Sequence, residues 1–457
     1  MLKLLLIMGV LLFNIAGFSQ DKPNIIVILT DDMGFSDIQT FGGAGIPTPN
    51  IDRLAKEGTK FTQYYSAAPI CSPSRTSILT GMFPAKWNFT TFLNDRKSNG
   101  AAEQANYLNV NAPSMAKILK RGGYVTGHFG KWHMGGGRDI KNAPNFDKYG
   151  FDEHISTYES PDPDPIITAT NWIWSPEDSI KRWDRTRYFV DKTLDFLKRH
   201  KGKPCFVNLW PDDMHTPWVP EVDFRFTGKF PMDPEEEKAF QMVLKEYDKQ
   251  IGRLLDGIKK MGIEDNTIII FTSDNGPLPS FRGSRSGGLR GTKLSLYEGG
   301  IRMPFIAKWP GHIPAGKADD VSVLNSTDLL PTLADIASVE LPSNYQGDGE
   351  VRTSVLLGSP SQRKKDMYWE YGRNQHAFNY PKGKDKSPNL AIRSGKWKLL
   401  VDYLRNNAEL YNMEKDKFET TNLAGQYPEI VKELKQKVIT WRTYLPELTP
   451  ERANPAR

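Results

Sequence analysis

The sequence predicts an α/β fold: a large, mainly parallel sheet sandwiched by helices, with a smaller C-terminal α+β subdomain on an antiparallel sheet. Three observations carry this. Residues 24–30 and 267–272 are continuous apolar and β-branched runs of strand length, the pattern of central strands buried on both faces. Helical periodicity separates such runs, most strongly over 234–262, where Phe240, Val243, Leu244, Tyr247, Ile251, Leu254, Leu255 and Ile258 recur at three- and four-residue spacing before the Gly262 stop. Past Leu357 the strands become short and more polar and are followed by one helix, which favours a separate antiparallel unit. The expected organisation is therefore residues 1–19, 20–357 and 358–457.

Residues 1–19 read as a secretory signal peptide: Met1-Leu2-Lys3 as the positive end, an apolar stretch to Phe18, and Gly17-Phe18-Ser19 as a small-x-small cleavage site. No cysteine follows that would take a lipid anchor, and no later apolar run approaches membrane-spanning length. The expectation is a secreted or periplasmic protein. The mature chain then opens with strand 24–30, which ends directly in Asp31-Asp32-Met33-Gly34. A capped helix over 50–57 leads through Phe61 and Tyr65 to Cys71-Ser72-Pro73-Ser74-Arg75, which begins a helix stopped by Gly81. A helix over 114–120 and a strand over 124–130 deliver Lys131-Trp132-His133.

Residues 135–183 are rich in Gly, Pro, Asp and aromatics without periodicity and read as a long surface excursion able to shape a pocket. An amphipathic helix over 184–200 and a strand over 204–210 follow, opening into Asp212-Asp213-Met214-His215. Strand 267–272 ends in Ser273-Asp274-Asn275-Gly276, repeating the pattern of the first strand. A basic glycine-rich loop over 287–293, a strand over 303–309 and a helix over 329–337 complete the large domain. Short strands near 366–371, 390–393, 396–401 and 407–412 and a helix over 427–445 build the small one.

Composition narrows the chemistry. Sixty basic against 54 acidic residues leave a scattered net charge of +6, which tolerates a polyanionic substrate but points to no nucleic acid. Only Cys71 and Cys205 occur. A disulfide between them is the less favoured reading, because stapled secreted proteins are cysteine-dense. Cys205 reads as a small hydrophobe in a strand; Cys71 is either a buried cysteine or a reactive group at a helix N-terminus that favours anions. Four strand ends present Asp31 and Asp32, Lys131 and His133, His215, and Asp274 and Asn275. Hard oxygen donors without neighbouring thiolates suit calcium or magnesium better than zinc. Lys131, Lys293 and Arg75 would surround an anion held against that metal, and the two histidines would move protons.

Cys71-Ser72-Pro73-Ser74-Arg75 resembles the Cys-x-Pro-x-Arg signature of the type I sulfatases, within the alkaline phosphatase superfamily. Residues 24–34, 127–133, 272–276 and 289–304, with Lys396-Trp397-Lys398-Leu399 and Glu409-Leu410-Tyr411-Asn412, match that family in order and spacing. The resemblance implies oxidation of Cys71 to Cα-formylglycine by a formylglycine-generating or sulfatase-maturating enzyme, with the aldehyde hydrate as nucleophile. It further implies that Asp31, Asp32, Asp274 and Asn275 bind one calcium ion together with residue 71. Arg75 would hold the nucleophile's surroundings, Lys131 and Lys293 would grip sulfate, His215 would be the general acid, and His133 would help decompose the sulfated intermediate. Two other readings stay open: a phosphate or phosphonate ester hydrolase on the same fold, and a catalytically silent glycan-binding homologue. The substrate expectation is a sulfated polysaccharide or glycosaminoglycan fragment that loses sulfate from its end sugar by exo action, with galactose or N-acetylgalactosamine sulfate as that sugar. Trp172, Trp174, Trp183 and the polar loop over 87–108 are expected to shape its pocket, and Asp213, Trp218, Arg282 and Arg285 are candidates for touching the sugar.

Overall fold

The structure, a computed structural model, describes residues 22–43, 45–170, 172–221, 237–377, 381, 383–403 and 407–454. The expected signal peptide and the first turn of the long helix predicted from residue 234 lie outside the described residues.

The main sheet has nine strands: β1 Asn24–Thr30, β2 Thr59–Tyr65, β3 Val125–Gly130, β4 Glu153–Ser156, β5 Cys205–Trp210, β6 Thr267–Ser273, β7 Arg302–Lys308, β8 Lys317–Asp319 and β9 Leu324–Asn325. They run in the order β4-β3-β5-β1-β6-β7-β2-β8, with β9 beside β2. β1 lies in the middle, parallel to β5 on one side and β6 on the other. Every residue of β1 and β6 is buried. Successive side chains alternate between two cores, as the pleat requires. Ile25, Val27 and Leu29 pack with Met115, Ile118, Leu119, Leu330 and Leu333 on one face. Ile26 and Ile28 pack with Phe189, Leu244, Ile251 and Leu254 on the other. Helices Met115–Arg121 and Leu329–Ile336 thus cover one side, and Arg185–Arg199 and Glu237–Lys260 the other.

Three elements depart from the sequence reading. β7 runs antiparallel to both β6 and β2, because the chain returns from the end of β6 through the short 3-10 helix Phe281–Ser286 and the four-residue helix Glu298–Ile301, neither long enough for a crossover to the far end of the sheet. β2 has too weak an alternation to be read as a strand, with Lys60, Thr62 and Gln63 only half-buried. The stretch 135–183 is more than a surface excursion: it contributes β4 at the sheet edge and buries Phe146, Tyr149, Phe151, Ile167 and Trp174.

The second sheet, β10 Met367–Glu370, β11 Leu390–Ser394, β12 Trp397–Val401 and β13 Ala408–Asn412, is antiparallel throughout. Helix Pro428–Thr443 covers one face through Leu434 and Val438, which meet Leu390, Ile392, Leu399, Val401 and Leu410. The other face carries Trp369, Ala391, Leu400 and Tyr411 into one apolar cluster with Tyr65, Ile70, Leu296, Tyr297 and Cys71. The small sheet is therefore a wall beneath the cysteine helix. Cys71 and Cys205 are both free and buried.

Candidate active site

Strand register assembles the site. Thr30 and Ser273 are opposite one another at the ends of β1 and β6, so Asp31-Asp32 and Asp274-Asn275 leave the sheet side by side. Backbone hydrogen bonds lock the junction: the Asp274 amide donates to the Thr30 carbonyl at 3.1 Å, and the Asp32 amide to Asp274 Oδ1 at 3.1 Å. Asp32 takes a left-handed backbone, φ 59°, which aspartate tolerates better than most side chains. On the other flank, Gly130 faces Trp210 in register, which sets Lys131 to His133 beside Asp212 to His215. Gly130 has φ 129°, and a Cβ there would stand 2.0 Å from the Trp210 carbonyl oxygen, so only glycine lets these two strand ends close up.

The cysteine motif forms helix Cys71–Thr80, buried along its whole length and ended by Gly81 in the left-handed region. Cys71 occupies its first turn and Arg75 the next, as the spacing predicts. Arg75 sends Nε and Nη2 to Asp274 Oδ2 at 3.0 and 2.7 Å, and Nη1 to the Lys131 carbonyl at 2.7 Å. Lys131 Nζ lies 2.9 Å from Asp31 Oδ2, and Lys293 Nζ 2.7 Å from Asp32 Oδ2. Asn275 donates from Nδ2 to Asp32 Oδ1 at 2.7 Å. His215 Nδ1 donates to the Thr216 carbonyl, which leaves Nε2 turned to Asp32 Oδ2 at 3.6 Å.

Asp31, Asp32 and Asp274 each offer an oxygen within 4.8 Å of the others, all buried. Asp31 Oδ1 and Asn275 Oδ1 are buried without a hydrogen-bond partner among the described residues. Hard oxygen donors and two orphaned acceptors facing one cluster fit a divalent cation. The electrostatics agree. Burial raises Asp31, yet Lys131, His215, Arg75 and Lys293 together hold it well below the usual carboxylate range. Asp32 is also lowered, with Lys293 the main force opposing burial. Asp274 is pushed well above the usual range by burial and by Asp31, an imbalance that a cation relieves. Burial holds both His133 and His215 down to about 4, against the pull of Glu159 and Asp32 respectively.

Lys131, His133, His215, Lys293, Arg75 and the side chains of Asp31, Asp32, Asp274 and Asn275 thus meet around the first turn of the Cys71 helix, and the field of Lys131, Lys293, Asp31 and Asp32 acts on the Cys71 thiol. The expected sugar contacts do not meet there. Asp213 is buried and accepts from the amide and hydroxyl of Thr186 at 3.1 and 2.5 Å. Trp218 donates its indole N–H to the Met214 carbonyl at 2.9 Å. Arg285 pairs with Asp37 at 2.7 Å, with its guanidinium 4.3 Å from the Phe240 ring centroid. Each of these three side chains thus has an internal partner, although Asp213 Oδ1 has no hydrogen-bond partner among the described residues. The Arg282 side chain lies outside the described residues.

Sequence reasoning missed Glu159. Its Oε2 lies 3.3 Å from Lys131 Nζ and 3.2 Å from His133 Nδ1, while Oε1 accepts from the Tyr158 hydroxyl at 2.8 Å. Burial raises its carboxyl, but His133 and Lys131 overcome this and bring it to about 2. It sits in the aperiodic stretch before Arg182, where no local pattern distinguishes it. Asp212, bridged to Arg182 and Arg185, was likewise invisible as the buried anchor of the His215 loop.

A family model described as Sulfatase matches residues 23–339, most of the chain. The chain belongs to the sulfatase family. A second model, described as N-sulphoglucosamine sulphohydrolase, C-terminal, matches residues 292–443 of this sulfatase. It is 28% identical to an N-acetylgalactosamine-6-O-sulfatase of Bacteroides thetaiotaomicron, over 93% of this chain and 94% of that protein. The N-acetylgalactosamine-6-sulfatase of Homo sapiens is 31% identical over 75% and 67% of the two chains. Among solved structures, Ps i-CgsB in complex with a neocarrahexaose superposes with a TM-score of 0.75 at 26% identity, covering 94% of each chain. The phosphonate monoester hydrolase of Agrobacterium radiobacter shares the fold, with a TM-score of 0.64 at 19% identity over 94% and 97% of the chains. This is a type I sulfatase of the alkaline phosphatase superfamily, a hydrolase of sulfuric esters. Among the described residues, no helix is long and apolar enough to cross a membrane.

Proposed function

We propose that this sulfatase cleaves sulfate esters from sulfated glycans, acting on the chain end, with galactose or N-acetylgalactosamine as the sulfated sugar. The observation that carries the reading is the meeting of four oxygen ligands, two lysines and Arg75 around residue 71. Relatives whose names specify N-acetylgalactosamine-6-sulfate and a neighbour solved with a carrageenan fragment support the sugar class.

In this reading Asp31, Asp32, Asp274 and Asn275 hold calcium, which supplies Lewis-acid polarisation of the sulfate and of the nucleophile. Residue 71, if oxidised to Cα-formylglycine by a maturation enzyme, would supply through its hydrate one hydroxyl to displace the sugar oxygen from sulfur and a second to expel sulfate. The chain's own groups do the remaining work. Arg75 fixes Asp274 and, through the Lys131 carbonyl, the lysine loop. Lys131 and Lys293, both buried and paired with Asp31 and Asp32, neutralise the sulfate oxygens as charge builds on them. His215 keeps Nδ1–H on the Thr216 carbonyl, so Nε2 is the nitrogen that exchanges a proton with the departing sugar oxygen. The charge of an arriving sulfate ester favours its protonated form. His133 keeps Nε2 on the Leu93 carbonyl at 3.3 Å and turns Nδ1 to Glu159, the arrangement of a proton acceptor in the second half of the reaction.

Residues 1–19, read as a secretory leader, would carry the enzyme out of the cytoplasm, to a secreted or periplasmic location. The division at residues 357 and 358 separates a catalytic domain from a C-terminal subdomain that still shares a core with the cysteine helix. The phosphonate hydrolase likeness keeps one competing reading alive, a phosphate or phosphonate ester hydrolase with the same nucleophile. Purified, matured enzyme assayed on a sulfate ester and its matched phosphate ester decides between them; faster phosphate turnover defeats the sulfatase assignment. Cys71→Ser is expected to abolish turnover while retaining sulfated-ligand binding. Peptide mass spectrometry is expected to show the thiol of residue 71 replaced by an aldehyde. Full activity in Cys71→Ser refutes the mechanism, and loss of turnover there with retained binding refutes the alternative of a silent glycan-binding homologue.

A further inference from the structure

His215 reaches the cleft from a loop, so its side chain is placed only as well as the backbone beneath it is held. The His215 amide donates to the Asp212 carbonyl at 3.1 Å, which closes a turn shortly after β5. Arg182 braces that turn at both ends. Its Nη2 donates to the Asp212 carbonyl at 2.6 Å and to the His215 carbonyl at 2.9 Å, while its Nη1 donates to Asp212 Oδ2. Arg185 Nη1 donates to the same Oδ2 at 3.0 Å. Arg182, Arg185 and Asp212 are all buried, and among the described residues none of them hydrogen-bonds to Asp31, Asp32, Lys131 or Lys293.

The brace has a foundation of its own. Arg185 Nη2 donates to the Ile167 carbonyl at 2.8 Å and to Asp178 Oδ2 at 3.1 Å. Asp178 in turn accepts from the amides of Ala169 and Ser175 at 2.8 and 2.9 Å. The network therefore fastens residues 167–185 to the one loop that carries His215. Breaking such a buried charge cluster is costly, but assembling it contributes little net stability, so a role in placing the loop accounts for it better than stability does. A guanidinium suits that task, because its rigid fork reaches two carbonyls and a carboxylate at once, which the compact point charge of a lysine does not.

We propose that Arg182, held by Asp212, is a positioning residue for His215: by fixing both carbonyls of the turn it sets Nε2 where the leaving oxygen of the ester takes up a proton. As the bond between sulfur and that oxygen breaks, its electron pair goes to the oxygen and the proton comes from Nε2. A leaving group that is stable as an anion has little need of this proton, whereas a poorer one depends on it. The proposal rests on the reading of His215 as the general acid.

The test compares full-length, matured enzymes on phenyl sulfate and 4-nitrophenyl sulfate, a pair that separates leaving-group acidity from sugar recognition. His215→Ala is expected to lower kcat on phenyl sulfate about 10²-fold or more, and much less on the nitrophenyl ester. Arg182→Lys keeps a cation beside Asp212 but loses the fork. Its kcat on phenyl sulfate is expected to fall about 10–100-fold with KM little changed, against about threefold on the nitrophenyl ester. Asp212→Asn, which loosens the hold on Arg182 at nearly constant shape, should show the same split to a smaller extent. In a His215→Ala background, Arg182→Lys should cost nothing further on phenyl sulfate, because the group that it positions is gone. Three results make the cluster merely structural and overturn the proposal: equal losses on both esters, loss of the fold in both the Arg182→Lys and Asp212→Asn variants, or an undiminished cost of Arg182→Lys when His215 is absent. A His215→Ala variant that loses both esters equally overturns the general-acid reading beneath, and the proposal with it.

Discussion

Arg75 clamps Asp274: two of its nitrogens converge on one carboxylate oxygen, at 3.0 and 2.7 Å, and the other oxygen is taken by the Asp32 amide at 3.1 Å. Both side chains are fully buried, so the pair stands where breaking it is costly even if making it is not strongly favourable. Arg75→Ala leaves a buried carboxylate uncompensated and is expected to destabilise the fold by about 3–5 kcal/mol. Arg75→Lys keeps a charge but loses the planar fork and the reach to the Lys131 carbonyl, so its loss should be smaller in stability and comparable in turnover. Thermal unfolding beside steady-state kinetics checks this; an Arg75→Ala variant that melts with the wild type contradicts it.

Removal of the cation is the second prediction. Three carboxylates within 4.8 Å repel one another, and Asp31 Oδ1 and Asn275 Oδ1 are orphaned acceptors, so a bound ion stabilises the native state more than the unfolded chain. At a free calcium concentration about 100-fold above its Kd the expected gain is about 2.7 kcal/mol. Chelation should lower Tm accordingly and re-addition of calcium should restore it. Asn275→Ala should need more calcium for the same shift. Coincident melts with and without chelator would sink the assignment.

Glu159 supports the third. Its carboxylate contacts both Lys131 and His133 and is the group that draws a proton toward His133 Nδ1, against a burial that holds the imidazole down to about 4. Glu159→Gln offers an amide of nearly the same shape but no charge. His133 should then hold a proton even less readily, and kcat should fall about 10²-fold, the lower end of what general acid–base groups contribute. KM should change little, because Lys131 keeps its contact with Asp31. A large rise in KM at constant kcat would instead mark Glu159 as a ground-state substrate contact.

The parts of this site that lay open in the sequence are those placed by short-range rules. Apolar β-runs ending in carboxylates announced Asp31, Asp32 and Asp274, and glycine-bounded helix grammar announced the Cys71 helix with Arg75 one turn on. The buried alternation of Ile25 to Leu29 between two cores followed directly from an all-apolar strand. What stayed hidden depends on tertiary register. Glu159 reaches the site because β4 pairs with β3, a pairing that an aperiodic stretch does not advertise. Asp213, Trp218 and Arg285 looked like site residues by their nearness to His215 and the glycine-rich loop. Their orientation was decided by Thr186, Met214 and Asp37, which no spacing rule connects to them. The reversal of β7 was hidden for the same reason, since an apolar strand carries no mark of its direction.

The last prediction concerns the seam between the two sheets. Lys398 is fully buried between Glu298 and Glu419, at 2.9 and 2.8 Å, so two carboxylates share one ammonium. Arg302 and the Tyr65 hydroxyl also approach Glu298, and the Glu298 amide donates to Glu419. Glu298 therefore keeps its charge, lowered by Lys398, Arg302 and Arg393 against burial, while burial first and Glu298 next raise Glu419 to about 7. The sign follows from linkage. A carboxyl whose folded pKa lies above its unfolded value holds an extra proton in the native state. Its contribution to stability is complete below the unfolded pKa and is lost as pH rises through about 7. Glu419→Gln fixes the neutral form. Any constant cost from weaker pairing with Lys398 will offset all pH values equally, so the slope is the informative quantity. The stability of the variant relative to wild type should improve between about pH 5 and pH 8.5, by on the order of 2–3 kcal/mol at about 1.4 kcal/mol per pKa unit. Denaturant unfolding of both proteins across that range measures it, and a difference that stays flat or declines with pH shows that Glu419 is ionised in the native protein.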